Sequence, residues 1–297
     1  MVGRRESDGI AFLPSGDYLA TANEGDTGFD TFGMGEYSGG RGFTLFDLEG
    51  GVVFDAMAEM ETQAVVRGHY PDDRSGNRGI EVENVASAAL GGNDFLFAAS
   101  ERGSFVSVYQ VDNAAAPSFL QFLPTGAGPE GLLPVAGRED GAVLLGTANE
   151  ADGTINIFQA LETAYMPPAD APVLMSASQE IPWGAISGLT TDGTYLYAVP
   201  DNAFTRSRIY RVRMDVDAGV ALIDEATFLR DENMEILEVD PEGIAYTGSG
   251  FYVASEGSDP SSNILYRTDM DGGGGEPHPV SRGSRDGLRR GHDLSRV

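Results

Sequence analysis

A short unit recurs along the chain, and it constrains the fold more than any other feature. Each copy opens with an acid beside Gly, runs through an apolar stretch and a Gly-rich turn into an alternating strand, and closes on a second acid. The copies read DGIAFLPSGDYLATANEGD from Asp8, ENVASAALGGNDFLFAASERG from Glu83, PEGLLPVAGREDGAVLLGTANEADG from Pro129, ISGLTTDGTYLYAVPDN from Ile186 and PEGIAYTGSGFYVASEGSD from Pro241. Anchored on Asp8, Glu83, Glu130, Ser187 and Glu242, successive copies lie 75, 47, 57 and 55 residues apart. Apart from the long first interval, that is the length of four short strands with their turns. A third alternating run follows each copy (GFTLFDL, SFVSVYQV, TINIFQA, SRIYRVRM, NILYRTDM), and a fourth is visible in PSFLQFL and GVALIDEATFL. Period-2 alternation punctuated by Gly, Asp, Asn and Pro marks β structure almost throughout.

Four-stranded units repeated at this period imply an all-β fold of the β-propeller type, in which each twisted sheet buries its faces against its neighbours around a central channel. A pair of β-sandwiches is the competing arrangement. Five blades are detectable, starting near residues 8, 83, 130, 187 and 242, in one domain spanning 1–271 whose ring five units leave incomplete. The first unit must carry insertions, with TGFDTFGMGEYSGGRG (27–42) and RGHYPDDRSGNRG (67–79) as candidates. DENMEILEV (231–239) is the one segment expected to form a short helix. Residues 272–297 read as a disordered tail, because five of the chain's 19 basic residues fall between Arg282 and Arg296 with almost nothing apolar among them.

Composition then removes whole classes of chemistry. All 19 basic residues are Arg and none is Lys, which excludes a P-loop and Schiff-base catalysis. The absence of Cys excludes thiol nucleophiles and thiolate metal sites. His69, His278 and His292 have no zinc-site spacing, and no GxSxG nucleophile elbow occurs. A formal charge of −27 disfavours nucleic acid and anionic lipid as partners; it reads either as adaptation to a saline habitat or as charge to be neutralised by bound cations. No stretch approaches the roughly 20 apolar residues of a membrane span, and no signal peptide is visible at the start.

Rotational repetition brings equivalent positions to one height around an axis, so the repeated acids are the candidate site. The first set is Asp8, Glu83, Glu130 and Glu242, interrupted by Ser187; the second is Glu24, Glu101, Glu150, Asp201 and Glu256. Converging carboxylates raise one another's pKa or recruit a cation. Calcium suits an oxygen-only donor set, another oxygen-liganded divalent cation being the alternative. Glu24, Glu83, Glu101, Glu130, Glu150, Asp201, Glu242 and Glu256 are the expected metal ligands, and Asn23, Asn149 and Asn202 are neighbours with amide oxygens to add. Each acid, taken singly, also reads as a turn residue accepting backbone N–H bonds. Among the cations Arg102, directly after Glu101, is the expected catalytic group, and Arg74 and Arg78 are further guanidinium groups able to hold phosphate in bidentate fashion. A surface ion pair is the plainer role for each. DMDGGGG, with Asp269 and Asp271, reads as a turn, His69 as a packing residue and Trp183 as core.

Residues RSGNRGIEVENV, LFAASERGSFVSVYQV, APSFLQFLPTGAGPEGLL and GTANEADGTINIF, with TANEGD in the first unit, resemble bacterial secreted propellers of the choice-of-anchor type. ISGLTTDGTYLYAVPDN and DPEGIAYTGSGFYVASEGSDPSSNILYRTDMDG resemble the domain described as esterase-like activity of phytase. Proteins of these kinds are longer, so the chain resembles an internal fragment. The resemblance implies an exported, extracellular or periplasmic, metal-binding propeller acting on a small phosphate ester or another ester. Carried onto this sequence, it implicates Glu130 and Glu242 of the PEG turns and Glu24, Glu101, Glu150 and Glu256 of the strand ends. Glu83-Asn84 and Ser187 depart from the pattern. The reading is a calcium-dependent phosphoesterase of phytase-like type, using metal-activated water in the channel. A non-catalytic extracellular propeller stabilised by metal and serving as a binding or surface module is the alternative, and a metal-dependent lactonase-like esterase a third reading.

Overall fold

A computed structural model describes residues 5–25, 40–135, 143–161, 172–201, 204–257, 263–274 and 276–279. The chain is nearly all β, with one α-helix among the described residues. It forms two compact units, the first made of Met1–Ala185 with Val212–Glu225 and the second of Ile186–Arg211 with Ala226–Val297.

In the first unit, β1 (Ser7–Phe12), β2 (Tyr18–Asn23), β3 (Gly42–Asp47) and β4 (Val52–Asp55) form one antiparallel sheet in sequence order. The helix α1 (Glu59–Arg67) follows, and then a second sheet in sequence order: β5 (Val82–Leu90), β6 (Asn93–Ser100), β7 (Phe105–Gln110) and β8 (Ser118–Pro124). A third sheet has three strands, β9 (Pro129–Val135), β10 (Leu144–Asn149) and β11 (Thr154–Gln159), where four were expected. β12 (Val173–Ser176) lies parallel to β16 (Val220–Phe228), pairing Val173 with Val220 through Ser176 with Ile223. The second unit contains β13 (Ile186–Thr191), β14 (Leu196–Pro200) and the start of β15 (Arg208–Asp215), together with a sheet of β17 (Asp240–Tyr246), β18 (Gly250–Glu256), β19 (Ile264–Asp269) and β20 (Glu276–Pro279). The tail expected to be unstructured from 272 thus begins with a fourth strand; 280–297 lie outside the described residues.

Side-chain alternation identifies these sheets as propeller blades. On β6, Leu96 and Ala98 enter the core shared with the first sheet, whereas Phe97 and Ala99 enter a different core with Leu145 and Phe158 of the third. On β7 Phe105 and Tyr109 join the first core, and Val106 and Val108 the second. A middle sheet buried on both faces follows from period-2 side-chain placement, and it makes blades stack. In the second unit, Tyr197, Val199, Ile209, Phe251 and Val253 form a comparable core.

The acid-Gly dipeptides mark where first strands meet. A Cβ on Gly9 would come within 2.8 Å of Asn84 Cα and Glu83 O, so β1 and β5 approach too closely for a side chain. Gly188 faces Gly243 Cα in the same way at 2.9 Å. The departures from the pattern now have a physical reason. Asn84 Nδ2 donates to Glu130 O at 2.7 Å, and Ser187 Oγ donates to Pro241 O at 2.6 Å, so both side chains tie one first strand to the next.

The one helix expected from the sequence does not form. DENMEILEV is not helical: Asp231 Oδ1 accepts from the backbone N–H groups of Asn233 (2.8 Å) and Glu235 (2.9 Å), closing a turn before Leu237 and Val239 pack against the core of Tyr197, Val199 and Phe251. The helix lies instead at Glu59–Arg67, between β4 and the segment 67–79, with Met60 and Ala64 buried one turn apart. Gly68, at φ 71°, ends it, and the N–H groups of Gly68 and His69 reach Val65 O and Ala64 O. Trp183 is half-buried and donates its Nε1–H to Val66 O at 2.9 Å. Of the other insertion, 27–39 lie outside the described residues. His69 packs edge-on against Phe105 and Phe122, and Asp269 accepts from the N–H groups of Asp271 and Gly273 in a turn.

Candidate functional site

Each first strand is irregular at the same place. Strand pairing shifts register at Asp8, Glu83, Glu130, Ser187 and Glu242, so every anchor residue sits in a β-bulge. A bulge turns its side chain out of the regular pleat, which is how sheets aim a group at a site. Two residues earlier the backbone is left-handed at Glu6 (φ 43°), Glu81 (φ 51°), Gly128 (φ 73°) and Ala185 (φ 44°). The carbonyl of that residue accepts the N–H of the second acid: Glu24 to Glu6 (3.2 Å), Glu101 to Glu81 (2.9 Å) and Glu150 to Gly128 (2.7 Å). The repeat thereby pins the second acid beside the first.

In the first unit this brings together two overlapping groups, Asp8 with Glu24 and Glu83, and Glu81 with Glu83 and Glu101; within each, carboxylate oxygens lie within 4.8 Å of one another. Glu83 belongs to both. Burial, reinforced by the Asp8 carboxyl and the charges of Glu101 and Glu81, pushes the Glu83 carboxyl up to about 8. Burial also raises Glu101, against the pull of Arg102. Glu130 hydrogen-bonds Glu150, and that contact raises Glu130 to about 6. In the second unit Asp201, Asp240 and Glu242 form a third group, and the hydrogen bond to Asp201 raises Asp240. Asp240 and Glu256 also line an open cleft of about 510 Å³ with Phe204, Val239, Ile264 and Tyr266.

Five of the eight acids expected from sequence (Glu24, Glu83, Glu101, Asp201 and Glu242) therefore fall in groups of three carboxylates. The Glu130 carboxyl hydrogen-bonds Glu150, and Glu256 lines the cleft with Asp240. The amide oxygens do not join them. Asn23 Oδ1 accepts from Ser7 Oγ (3.1 Å) and Thr21 Oγ1 (2.8 Å), and Asn149 Oδ1 accepts from Thr147 Oγ1 (3.0 Å), so both serve the strands that carry them. Asn202 lies outside the described residues.

Two members were not anticipated, Glu81 and Asp240. Each stands two residues before a repeated acid, in Glu81-Val82-Glu83 and Asp240-Pro241-Glu242, and an acid at that spacing was the available signal. Glu81 is 4% exposed and gathers the arginines. Its Oε2 accepts from Arg74 Nη2 (2.5 Å) and Arg102 Nε (2.9 Å), and its Oε1 from Arg78 Nη1 (3.2 Å). Arg102 also pairs with Glu101 (3.1 Å), and Arg78 with Glu6 (3.2 Å) and Glu24. Four acids and three guanidinium groups thus interlock beside the carboxylates of Asp8 and Glu83.

Two family models match the chain. Residues 181–291 match the family described as esterase-like activity of phytase, and residues 33–114 match the choice-of-anchor I domain, the two-part resemblance carried by the sequence motifs. None of the curated proteins compared matches. Among solved structures, the periplasmic gluconolactonase PpgL of Pseudomonas aeruginosa is 18% identical with a TM-score of 0.29, covering 91% of this chain and 68% of its own. A functionally unknown protein from Desulfotomaculum acetoxidans is 10% identical with a TM-score of 0.25, covering 90% and 69%. The α-L-arabinofuranosidase Arb93A of Fusarium graminearum is 10% identical with a TM-score of 0.28, covering 90% and 77%.

Proposed function

We propose that this chain is a calcium-dependent phosphoesterase of phytase-like type, acting on small phosphate esters. The observation that carries the reading is the meeting of Asp8, Glu24 and Glu83, three carboxylates from different strands whose oxygens lie within 4.8 Å of one another. The donor set fits calcium, which takes six to eight oxygens in flexible geometry and needs neither nitrogen nor sulfur. The elevation of Glu83 to about 8, caused first by burial and then by the neighbouring carboxyls, fits as well, because a cation would offset both. Asp8, Glu24 and Glu83 would hold the ion, with Glu101, Glu130 and Glu150 close by; Asp201, Asp240 and Glu242 would hold another, beside the cleft that Glu256 lines. A calcium ion held by these carboxylates would supply positive charge for a phosphoryl group and lower the pKa of a coordinated water. Arg102, fixed by Glu81 and Glu101 yet 45% exposed at its side chain, would bind a phosphoryl oxygen and stabilise charge developing on it.

A second reading has an observation of its own. Asp8 is on β1 and Glu83 on β5, so a cation between them also ties two blades together, as it would in a non-catalytic module. The choice-of-anchor match supports an extracellular or periplasmic location for either reading. No helix among the described residues is long and apolar enough to cross a membrane. The experiment is to assay a phosphate monoester and a carboxylic ester with calcium and with chelator while following thermal unfolding. Hydrolysis and stability both falling in chelator supports the enzyme; stability falling with no hydrolysis in either condition rejects it in favour of the module.

A further inference from the structure

The arrangement around Glu81 leaves donors over. Both Glu81 oxygens are filled by guanidinium N–H groups, so its role is to fix three cations rather than to offer an oxygen to a metal. It does so from a left-handed backbone at φ 51°, a conformation that a non-glycine residue rarely adopts. Strain of that kind persists where the surrounding structure over-determines it. The Nε atoms of Arg74 and Arg78 are buried and have no hydrogen-bond partner among the described residues. A buried donor without an acceptor is destabilising, more so when charged, and calls for a water or an ion. The side chains of Arg74, Arg78 and Arg102 nonetheless keep 26%, 32% and 45% exposure, so the cluster is reachable from solvent. A phosphoryl group presents several charged acceptor oxygens to such forks, whereas a neutral carboxylic ester presents one weak carbonyl.

We propose that Arg74 and Arg78, held in place by Glu81 beside Arg102, form a phosphoryl-binding subsite, with Glu81 as its positioning residue. The subsite assigns phosphate esters, not carboxylic esters, as the substrate class. Its part in turnover rests on the phosphoesterase reading above; binding of the anion does not.

The test titrates inorganic phosphate, with acetate as the control anion, into the full chain in calcium-containing buffer, using calorimetry on wild type, Glu81→Gln and Arg74→Gln. Phosphate should bind the wild type, and at least about tenfold more weakly in both variants, with near-ultraviolet circular dichroism unchanged and no response to acetate. In turnover, Glu81→Gln should raise KM for a phosphate monoester more than it lowers kcat. Absence of phosphate binding by the wild type, or wild-type affinity in either variant, overturns the proposal. Should Glu81→Gln fail to fold, Arg74→Gln decides alone. Phosphate binding that depends on Arg74 and Glu81 in a protein that hydrolyses no ester would reject the enzyme and keep the subsite. Hydrolysis of the phosphate ester with unchanged KM in Glu81→Gln would do the reverse.

Discussion

Glu83→Gln should stabilise the metal-free protein at alkaline pH and abolish most of its stabilisation by calcium. Glu83 lies in both acid groups of the first unit, and its carboxyl is raised from 4.5 to about 8 by burial and by Asp8, Glu101 and Glu81. A group whose folded-state pKa is raised binds its proton more tightly in the native state than in the unfolded chain. The stability it contributes is therefore complete below about pH 4.5 and is lost as pH climbs through about 8. A rise of that size corresponds to at most about 5 kcal/mol, and solvent screening at a half-buried, coupled carboxyl reduces it to about 2 kcal/mol. Gln has the shape of the protonated acid and keeps a donor for Asp8, but it never ionises. Thermal unfolding in chelator from pH 5 to pH 9 should show wild type losing stability from about pH 5 to about pH 8 and levelling off above, while Glu83→Gln stays flat, the two coinciding near pH 5. With calcium the order inverts, because the ion stabilises only the wild type appreciably. Parallel pH profiles of the two proteins in chelator, or an equal calcium-induced rise in Tm, would refute the claim that Glu83 is the shared hinge of the acid groups.

Three shorter predictions follow from the repeat geometry. Ala185→Gly should raise stability by about 0.5 kcal/mol, because Ala185 is left-handed at φ 44° where the preceding repeat has Gly128; a lower midpoint in urea would contradict this. Gly9→Ala should cost about 1–3 kcal/mol, since its Cβ would collide with the β5 backbone at 2.8 Å, and calorimetry showing no loss would mean β1 and β5 are not packed as described. Arg102→Gln should lower kcat/KM for a phosphate monoester by about a hundredfold with little change in Tm, because Arg74 and Arg78 still neutralise Glu81; a large drop in Tm with unchanged kcat/KM would make Arg102 a structural ion pair only.

The blades were legible because alternation survives in them. PSFLQFL becomes β8 and GVALIDEATFL becomes β16, where period-2 patterning matches sheets buried on one or both faces. The repeated acids were legible as positions but not as a constellation. A β-bulge breaks the alternation at each anchor, so strand periodicity cannot say which way Glu83 or Glu242 turns, nor that Glu81 and Asp240 turn with them. The three arginines were visible one by one, yet their meeting at Glu81 depends on a loop fold that joins residues 74 and 78 to residue 102. Helix was misassigned for a local reason. DENMEILEV has the composition of a helix, but Met234 is left-handed at φ 67° and the chain turns back on itself, Asp231 N–H donating to Glu235 O and Arg230 pairing with Ile236 in an antiparallel bridge. The segment that does form α1 carries acids in its first turn, Arg67 in its last and Gly68 as its cap, signals present in the sequence and hidden by the strand-like runs around them.

The first strands also explain why the repeat tolerates Asn84 and Ser187 at positions where other copies have Gly or an acid. Two requirements compete there: adjacent first strands must approach closely, and the bulge must carry a polar group. Where Gly follows the acid, as at Gly9, backbone approaches backbone and the acid is left free for the site. In the second repeat Asn84 fills the space and donates across it to Glu130 O, so the Glu83 carboxyl stays available to the acid groups and the strands are still joined. In the fourth the bulged residue itself makes the joining bond, Ser187 to Pro241 O, and a hydroxyl does this where an ionised carboxylate, which cannot donate, would fail. The break in the acid series at Ser187 is thus a donor requirement of strand joining. The acids gathered in the first unit follow the same logic: where the bulge does not need a donor, charge accumulates until guanidinium groups, protonation of Glu83 or a divalent ion must offset it.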